Sequence, residues 1–182
     1  MKYNKLAASL FFSGILLLSG CGSSDSSSST PPPPATGNPV LGSTTITTTS
    51  GQTIQVDKTA GGFIFRGYEG KIVLLEVYGD TCPHCIEAIP SYNNLQAKYP
   101  NDVVIIALES YGTLGNAGLQ QYITIPKANT GNMFPFITEL TGYNLEAVPY
   151  LMILARDGDI VYSSILASFP QAEIDTRIQQ LL

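Results

Sequence analysis

A chain of 182 residues, 44% of them hydrophobic, is long enough for about one folded domain with a sizeable core. Its formal net charge is -5, and loss of an N-terminal leader holding Lys2 and Lys5 would remove two of the 9 basic residues and none of the 14 acidic ones. An acidic body repels the phosphate backbone of nucleic acids. We therefore predict no nucleic-acid partner.

The N-terminal leader predicts an export signal. Lys2 and Lys5 precede an apolar stretch over residues 6–18, which is too short to span a bilayer. The segment Leu18-Ser19-Gly20-Cys21 resembles the lipobox of bacterial lipoproteins, which implies that Cys21 becomes the lipid-modified first residue of the mature chain. The alternative is an ordinary signal peptide followed by an unrelated cysteine. We predict a lipid on Cys21 that anchors the protein to a membrane.

A polar segment follows the leader. It contains a run of serines and the four prolines Pro31–Pro34. Such a segment buries too little apolar surface to offset the entropy lost on ordering. We therefore predict three parts: a signal peptide over residues 1–20, a lipidated Ser/Pro-rich tether over residues 21–39, and a folded domain over residues 40–182.

The predicted domain starts with a hairpin and a buried strand. Two threonine-rich segments, Thr44–Thr49 and Thr53–Val56, are separated by a short turn and predict an N-terminal β-hairpin extension. Gly61-Gly62 and the segment Gly67–Gly70 mark later turns. Ile72–Tyr78 is almost continuously apolar, which is typical of a strand covered on both faces.

A helix is predicted to start at Pro83 and to end before Pro100, because proline is suited to the first turn of a helix and cannot continue one. Pro90 predicts a kink within it. Its apolar side is predicted to contain Ile86, Ile89, Tyr92 or Asn93, and Leu95.

The sequence of the second half of the domain predicts further strands and helices. They are a buried strand at Val103–Leu108, short helices at Leu119–Ile123 and Glu139–Tyr143, a hairpin of Tyr150–Leu154 and Ile160–Ile165 around the turn Arg156–Asp159, and an amphipathic helix at Pro170–Leu182.

The segment Cys82-Pro83-His84-Cys85 lies at the junction of the predicted strand and helix. Two cysteines one helical turn apart can close a small disulfide ring. The first of them lies where backbone amides without intrahelical partners and the helix dipole stabilise a thiolate. In an exported chain such a pair is either catalytic or a small structural loop. We predict that Cys82 is the nucleophile.

Three other interpretations of this pair exist. An inert structural disulfide is one of them. A zinc half-site is another, but it needs further cysteine or histidine ligands and His84 is the single histidine of the sequence. The third is a noncatalytic binding module that handles copper(I) through the two thiols. We predict redox chemistry at the Cys82-Cys85 pair, with no metal and no cofactor beyond the disulfide itself.

The order of elements and three motifs resemble the thioredoxin-like superfamily. The motifs are the strand and cysteine segment from Leu74 to Cys85, the strand at Val103–Leu108, and Val148–Leu154 followed by Asp157–Val161. This resemblance implies an α/β thioredoxin fold, with a central mixed β-sheet flanked by helices. It also implies that Pro149 has a cis peptide bond facing the active-site disulfide, and that Val148 and Pro149 contact the substrate peptide.

Two subfamilies share features with the chain. The short segment between Cys82 and Pro149, and the Ile89-Pro90 pair, are similar to the TlpA-like group of membrane-anchored extracytoplasmic thioredoxins. The Pro83-His84 dipeptide between the cysteines is similar to that of DsbA, a periplasmic thiol oxidase. That likeness implies that His84 stabilises the thiolate of Cys82; the alternative is an exposed histidine without a role.

Cys85 and Glu76 complete the predicted catalytic set. Cys85, one helical turn after Cys82, is predicted to be the buried resolving thiol. Glu76 lies six residues before Cys82, where thioredoxin-like proteins often have a buried acid. Burial would raise the pKa of this carboxyl, so that it takes or returns the proton of Cys85. The alternative is a carboxylate that reaches solvent at a strand edge.

These features predict a lipid-anchored extracytoplasmic thiol-disulfide oxidoreductase that acts on exported proteins and is served by a membrane redox partner. The dipeptide favours the oxidase or isomerase direction; the anchor favours the alternative, a reductase, for example in cytochrome c maturation. Gly22 stands where retention at the inner membrane of enteric bacteria is associated with aspartate, so an outer-membrane anchor fits. The expected location is the cell envelope, facing the periplasm or the exterior.

Overall fold

The structure is a computed structural model that describes residues 38–79, 81–110, 127–129 and 132–182. Its central element is a mixed five-stranded sheet. In spatial order the strands are β6 (Lys127–Asn129), β5 (Val103–Glu109), β4 (Ile72–Tyr78), β7 (Tyr150–Leu154) and β8 (Ile160–Ile165). The pairs β4–β5 and β5–β6 are parallel, whereas β4–β7 and β7–β8 are antiparallel. The mixed α/β fold predicted from the sequence is confirmed.

Within the described residues, three helices accompany the sheet. They are α1 (Pro83–Lys98), α2 (Phe134–Thr141) and α3 (Gln171–Leu181). Pro83 lies in the first turn of α1, and Pro90 lies inside this helix, where it removes the amide that would bond the Ile86 carbonyl. No helix among the described residues is both long and apolar enough to cross a bilayer.

A second, three-stranded antiparallel sheet precedes the central one. It consists of β1 (Gly42–Thr47), β2 (Thr53–Lys58) and β3 (Phe63–Phe65). Backbone hydrogen bonds from Phe63 to the Gly158 carbonyl and from Ile160 to the Gly61 carbonyl connect it to the β7–β8 turn. The predicted hairpin extension is therefore confirmed and gains a third strand.

Each face of the central sheet packs against a different layer. The cysteine face packs against α1 and α3, and its buried side chains include Leu74, Cys85, Tyr92, Ile105, Leu151 and Ile178. The opposite face packs against the three-stranded sheet and α2, and its buried side chains include Val56, Phe63, Leu75, Ile106, Ile137 and Met152. Because side chains of a strand alternate, neighbours such as Ile105 and Ile106 belong to different layers.

Two predicted details are wrong. The helix predicted at Glu139–Tyr143 starts at Phe134 and ends at Thr141, because Gly142 follows in the left-handed conformation with φ of 72° and caps it. Ile86, predicted on the apolar side of α1, is 37% exposed, because the buried stripe of this helix runs through Cys85, Ala88, Ile89, Tyr92 and Leu95 instead.

Some predictions lie outside the described residues. These are the signal peptide, the lipid on Cys21, most of the tether, and the short helix at Leu119–Ile123. The strands β3 and β6 were not predicted, since each has three residues and no recognisable alternation.

Candidate active site

Cys82 lies at the N-cap of α1, directly after the end of the central strand β4. Its backbone is extended, with φ of -80° and ψ of 115°, and the Cys85 amide donates to its Sγ at 3.3 Å. Pro83 supplies the fixed φ that starts the helix. The first turn contains no acidic residue. Backbone amides and the helix dipole therefore favour negative charge on a sulfur that is partly exposed to solvent.

Cys85 lies one helical turn later and is fully buried. Both cysteines are present as thiols. Burial raises the pKa of the Cys85 thiol far above its usual value, and the hydrogen bond with Cys82 and the charge of Glu76 raise it further. The pair is therefore asymmetric: Cys82 is accessible to a substrate, whereas Cys85 keeps its proton until a base removes it.

A segment from the other side of the sheet faces the pair. The Val148-Pro149 peptide bond is cis, as predicted. The Cys82 thiol donates to the Val148 carbonyl at 3.5 Å, and the Pro149 carbonyl accepts from the Leu166 amide at 2.9 Å. Because proline has no amide, this segment presents a backbone without that donor beside the accessible sulfur.

His84 points away from the core. Its side chain is 56% exposed, and its Nδ1 lies 3.3 Å from a carboxylate oxygen of Glu87, one turn along α1. The sequence did not predict Glu87 as a partner, although the i, i+3 spacing was visible. A protonated His84 therefore has an opposite charge beside it. Its predicted role in stabilising the Cys82 thiolate stays a prediction.

Glu76 is fully buried in the middle of the sheet. In the strand register it lies between Ala107 of β5 and Leu151 of β7, and both of these side chains belong to the cysteine face. Glu76 therefore points into the layer that contains Cys85. The alternative of a carboxylate reaching solvent at a strand edge is wrong, because β4 has a partner strand on each side.

Tyr92 is a residue of this layer to which the sequence analysis gave no role. It lies seven residues after Cys85, two turns along the same side of α1, and is fully buried. Its ring meets Phe169 edge-on, with centroids 4.6 Å apart. The sequence placed it on the apolar side of the helix, but its neighbour Glu76 is on a different element, which helical periodicity does not reveal.

In the described part of the chain, no group of three or more His, Cys, Asp or Glu side chains is arranged to hold a metal ion. The predicted lipidation residue Cys21 lies outside that part. The described candidate residues that meet around one place are thus Cys82, Cys85, Val148 and Pro149, with Glu76 behind the pair.

Comparisons with known proteins identify the fold. No protein-family model and no curated protein sequence matches the chain. Among solved structures, the exposed lipoprotein thioredoxin of Streptococcus pneumoniae is 16% identical, with a TM-score of 0.56 over 77% of this chain and 100% of that one. A secreted disulfide oxidoreductase of Mycobacterium tuberculosis, described as homologous to DsbE, is 20% identical, with a TM-score of 0.56 over 76% and 96%.

The thioredoxin domain of a thiol-disulfide oxidoreductase from Bacteroides vulgatus is 11% identical, with a TM-score of 0.56 over 78% of this chain and 96% of that one. At such identities a structural likeness establishes the fold and not the activity. The TM-score of 0.56 over more than three quarters of this chain is shared by all three neighbours. The chain has a thioredoxin fold.

Proposed function

We propose that this protein is a lipid-anchored extracytoplasmic thiol-disulfide oxidoreductase that acts on cysteines of exported proteins through a Cys82–Cys85 disulfide. The observation that carries the proposal is the asymmetry of the pair. A partly exposed sulfur lies at a helix N-terminus beside the cis-proline segment, and a fully buried thiol lies one turn behind it. An inert structural disulfide needs no such difference in access.

In the proposed oxidase direction, a substrate thiolate attacks Cys82 Sγ of the disulfide, and a substrate–Cys82 bond forms while the Cys82–Cys85 bond breaks. Cys85 leaves as a thiolate and takes up a proton. A second substrate thiolate then attacks the substrate sulfur, so that Cys82 leaves as a thiolate stabilised at the N-terminus of α1. Two electrons pass from the substrate to the pair, and a membrane redox partner would remove them.

A reductase is the second candidate, and the contact between His84 and Glu87 favours it. The carboxylate lies 3.3 Å from the imidazole and offsets the positive charge that would stabilise reduced Cys82. A less stable thiolate makes the pair more reducing. The same steps then run in reverse, with Cys82 attacking a substrate disulfide and Cys85 resolving the mixed disulfide.

The proposed location is the cell envelope, with a lipid on Cys21 and a tether over residues 21–39 before the folded part. The lipobox-like segment supports it, as do two structural neighbours, one an exposed lipoprotein and the other a secreted protein. Mass spectrometry of the mature protein tests this proposal. A diacylated N-terminal Cys21 is expected, and an unmodified N-terminus at another residue would contradict the anchor.

Trapping of mixed disulfides tests the activity itself. Because Cys85 is proposed to act after Cys82, a Cys85→Ser variant should accumulate disulfide-linked complexes with model substrates that contain a disulfide, since the Cys82 thiolate displaces one substrate thiolate and nothing resolves the mixed disulfide. Cys82→Ser should form none. The unmodified pair should also catalyse refolding of a reduced protein or reduction of insulin disulfides. Stoichiometric copper(I) binding without catalysis of either reaction would support the noncatalytic copper module instead.

A further inference from the structure

Each proposed reaction moves a proton at Cys85, yet this thiol is remote from solvent. Its side chain is fully buried, and burial raises the pKa of its thiol. When Cys85 resolves a mixed disulfide it must lose a proton, and when it leaves a disulfide it must gain one. A buried group near its sulfur must therefore exchange that proton.

The side chains that could exchange the Cys85 proton are the titratable groups on the cysteine face. Among the described residues, the titratable side chains that act on the pKa of Tyr92 are Glu76 on β4, Cys85 on α1 and Tyr162 on β8. The α3 residues of the same layer, Ile174 and Ile178, are apolar. Glu76 is therefore the carboxylate of this layer that adjoins both the thiol and the phenol.

Tyr92 is placed to act on Glu76. The tyrosine is fully buried two turns along α1 from Cys85, in the layer into which the Glu76 side chain points. Burial, followed by the charges of Glu76 and Cys85, raises the pKa of Tyr92 well above its usual value. The phenol thus keeps its proton throughout the physiological range and is a donor to the carboxylate.

We propose that Tyr92 is a positioning residue that holds the Glu76 carboxylate towards Cys85, so that this carboxylate exchanges the Cys85 proton. This inference rests on the proposed function. In resolution, the proton of the Cys85 thiol moves to Glu76 as the Cys85–Cys82 bond forms. The Cys82–substrate bond breaks at the same time, and the substrate leaves as a thiolate. In the opposite direction Glu76 returns the proton to the leaving Cys85.

An aromatic disulfide separates the two steps. With 5,5′-dithiobis(2-nitrobenzoate), attack by Cys82 releases a first coloured thiolate, and attack by Cys85 on the mixed disulfide releases a second. The full mature chain is used in the reduced form and carries Cys21→Ser, so that Cys82 and Cys85 are its two remaining cysteines. Stopped-flow absorbance then measures both phases as a function of pH.

The test variant is Tyr92→Phe, which keeps the ring and removes the hydroxyl. We expect a second phase about tenfold slower near pH 7, the size of one lost hydrogen bond to a charged group, with a shifted pH profile and an unchanged first phase. Tyr99→Phe is the matched control, because the Tyr99 hydroxyl donates to Asp175 at 2.8 Å, beyond the C-terminal end of α1. An unchanged second phase in Tyr92→Phe, or equal slowing in Tyr99→Phe, would overturn the inference.

A double variant guards against a merely structural effect. If Tyr92 acts through Glu76, adding Tyr92→Phe to Glu76→Gln should slow the second phase no further than Glu76→Gln alone. Equal slowing in both backgrounds would overturn the inference. Failure of the proposed function looks different: the unsubstituted pair would release two thiolates without forming a Cys82–Cys85 disulfide, as mass spectrometry of the product would reveal.

Discussion

The two faces of the five-stranded sheet are both buried, but they bury different chemistry. The cysteine face encloses a carboxyl, a thiol and a phenol, from Glu76, Cys85 and Tyr92. The opposite face buries mainly aliphatic, methionine and aromatic side chains between the central sheet, the three-stranded sheet and α2, and the buried amine on this side, that of Lys58, is paired with Glu139. Buried titratable groups lower stability unless they are paired, whereas apolar burial raises it. Burial on the opposite face therefore stabilises the fold. The buried titratable groups of the cysteine face lower that stability and provide the reactive site.

Adjacent isoleucines of β5 test this comparison with the largest expected effect. Ile105 and Ile106 are both fully buried, but Ile105 faces the cysteines and Ile106 faces α2 and the three-stranded sheet. Replacing either by alanine should lower the free energy of unfolding by about 3 kcal/mol through the cavity left behind. Ile106→Ala should leave the rate of thiol exchange unchanged, and Ile105→Ala should alter it. Denaturant unfolding and exchange kinetics measure both; equal effects on exchange would break the comparison.

The dependence of stability on pH gives a second test of the comparison between the two faces. Because burial raises the pKa of Cys85 from its usual 9.0, the folded reduced protein keeps this proton while the unfolded chain loses it. The contribution of the Cys85 proton to the free energy of unfolding is therefore fully present below pH 9. Above pH 9 the free energy of unfolding should fall by about 1.4 kcal/mol per pH unit. Tyr92 adds to the fall above its usual pKa of 10.0. Denaturant unfolding of reduced protein should show the fall between pH 9 and 10, and Cys85→Ser should lack it; persistence in that variant argues for another group.

Removal of the buried carboxyl should separate stability from activity. Glu76→Gln keeps the shape of the side chain and removes its charge, so the free energy of unfolding at pH 7 should rise by about 1 kcal/mol. The same variant should resolve mixed disulfides more slowly, because it has no base for Cys85. Leu151, which lies opposite Glu76 in β7, offers Leu151→Met as a control that leaves the carboxyl in place. A Glu76→Gln protein that is markedly less stable and equally active would contradict this division.

The smallest expected effect concerns the exposed rim of the cysteine face. Glu87→Gln removes the negative charge beside His84, so a protonated His84 should stabilise the Cys82 thiolate more strongly. The reduction potential should become less negative by about 5 to 20 mV, the range that a surface ion pair allows. Equilibration with glutathione measures it. Glu173→Gln, which removes a surface carboxylate from α3 and its pair with Arg177, is the control and should leave the potential unchanged.

The sequence predicted the elements whose signals are local. The strand Ile72–Tyr78 was predicted to the residue because it is apolar at every position except Glu76, and α1 was bounded by Pro83 and Pro100. The start of α2 was missed, because the apolar segment at Phe134 precedes the predicted first turn and gives no cap signal. The cysteine pair was predicted from its spacing, and the cis bond before Pro149 was predicted from the resemblance to thioredoxin-like proteins. The place of Tyr92 beside Glu76 was not, because it depends on how α1 lies across β4, and no spacing along the chain encodes that contact.

The reduction potential of the Cys82–Cys85 pair tests the central claim most directly. The protein is equilibrated against glutathione and then dithiothreitol, and the fraction of pair disulfide is read by mass spectrometry. The proposed oxidase predicts a two-electron reduction potential clearly less negative than thioredoxin's value of about -270 mV, and closer to about -120 mV. A reduction potential near -270 mV would contradict the oxidase and support the reductase. Failure to form a Cys82–Cys85 disulfide at any poise would contradict the redox pair altogether.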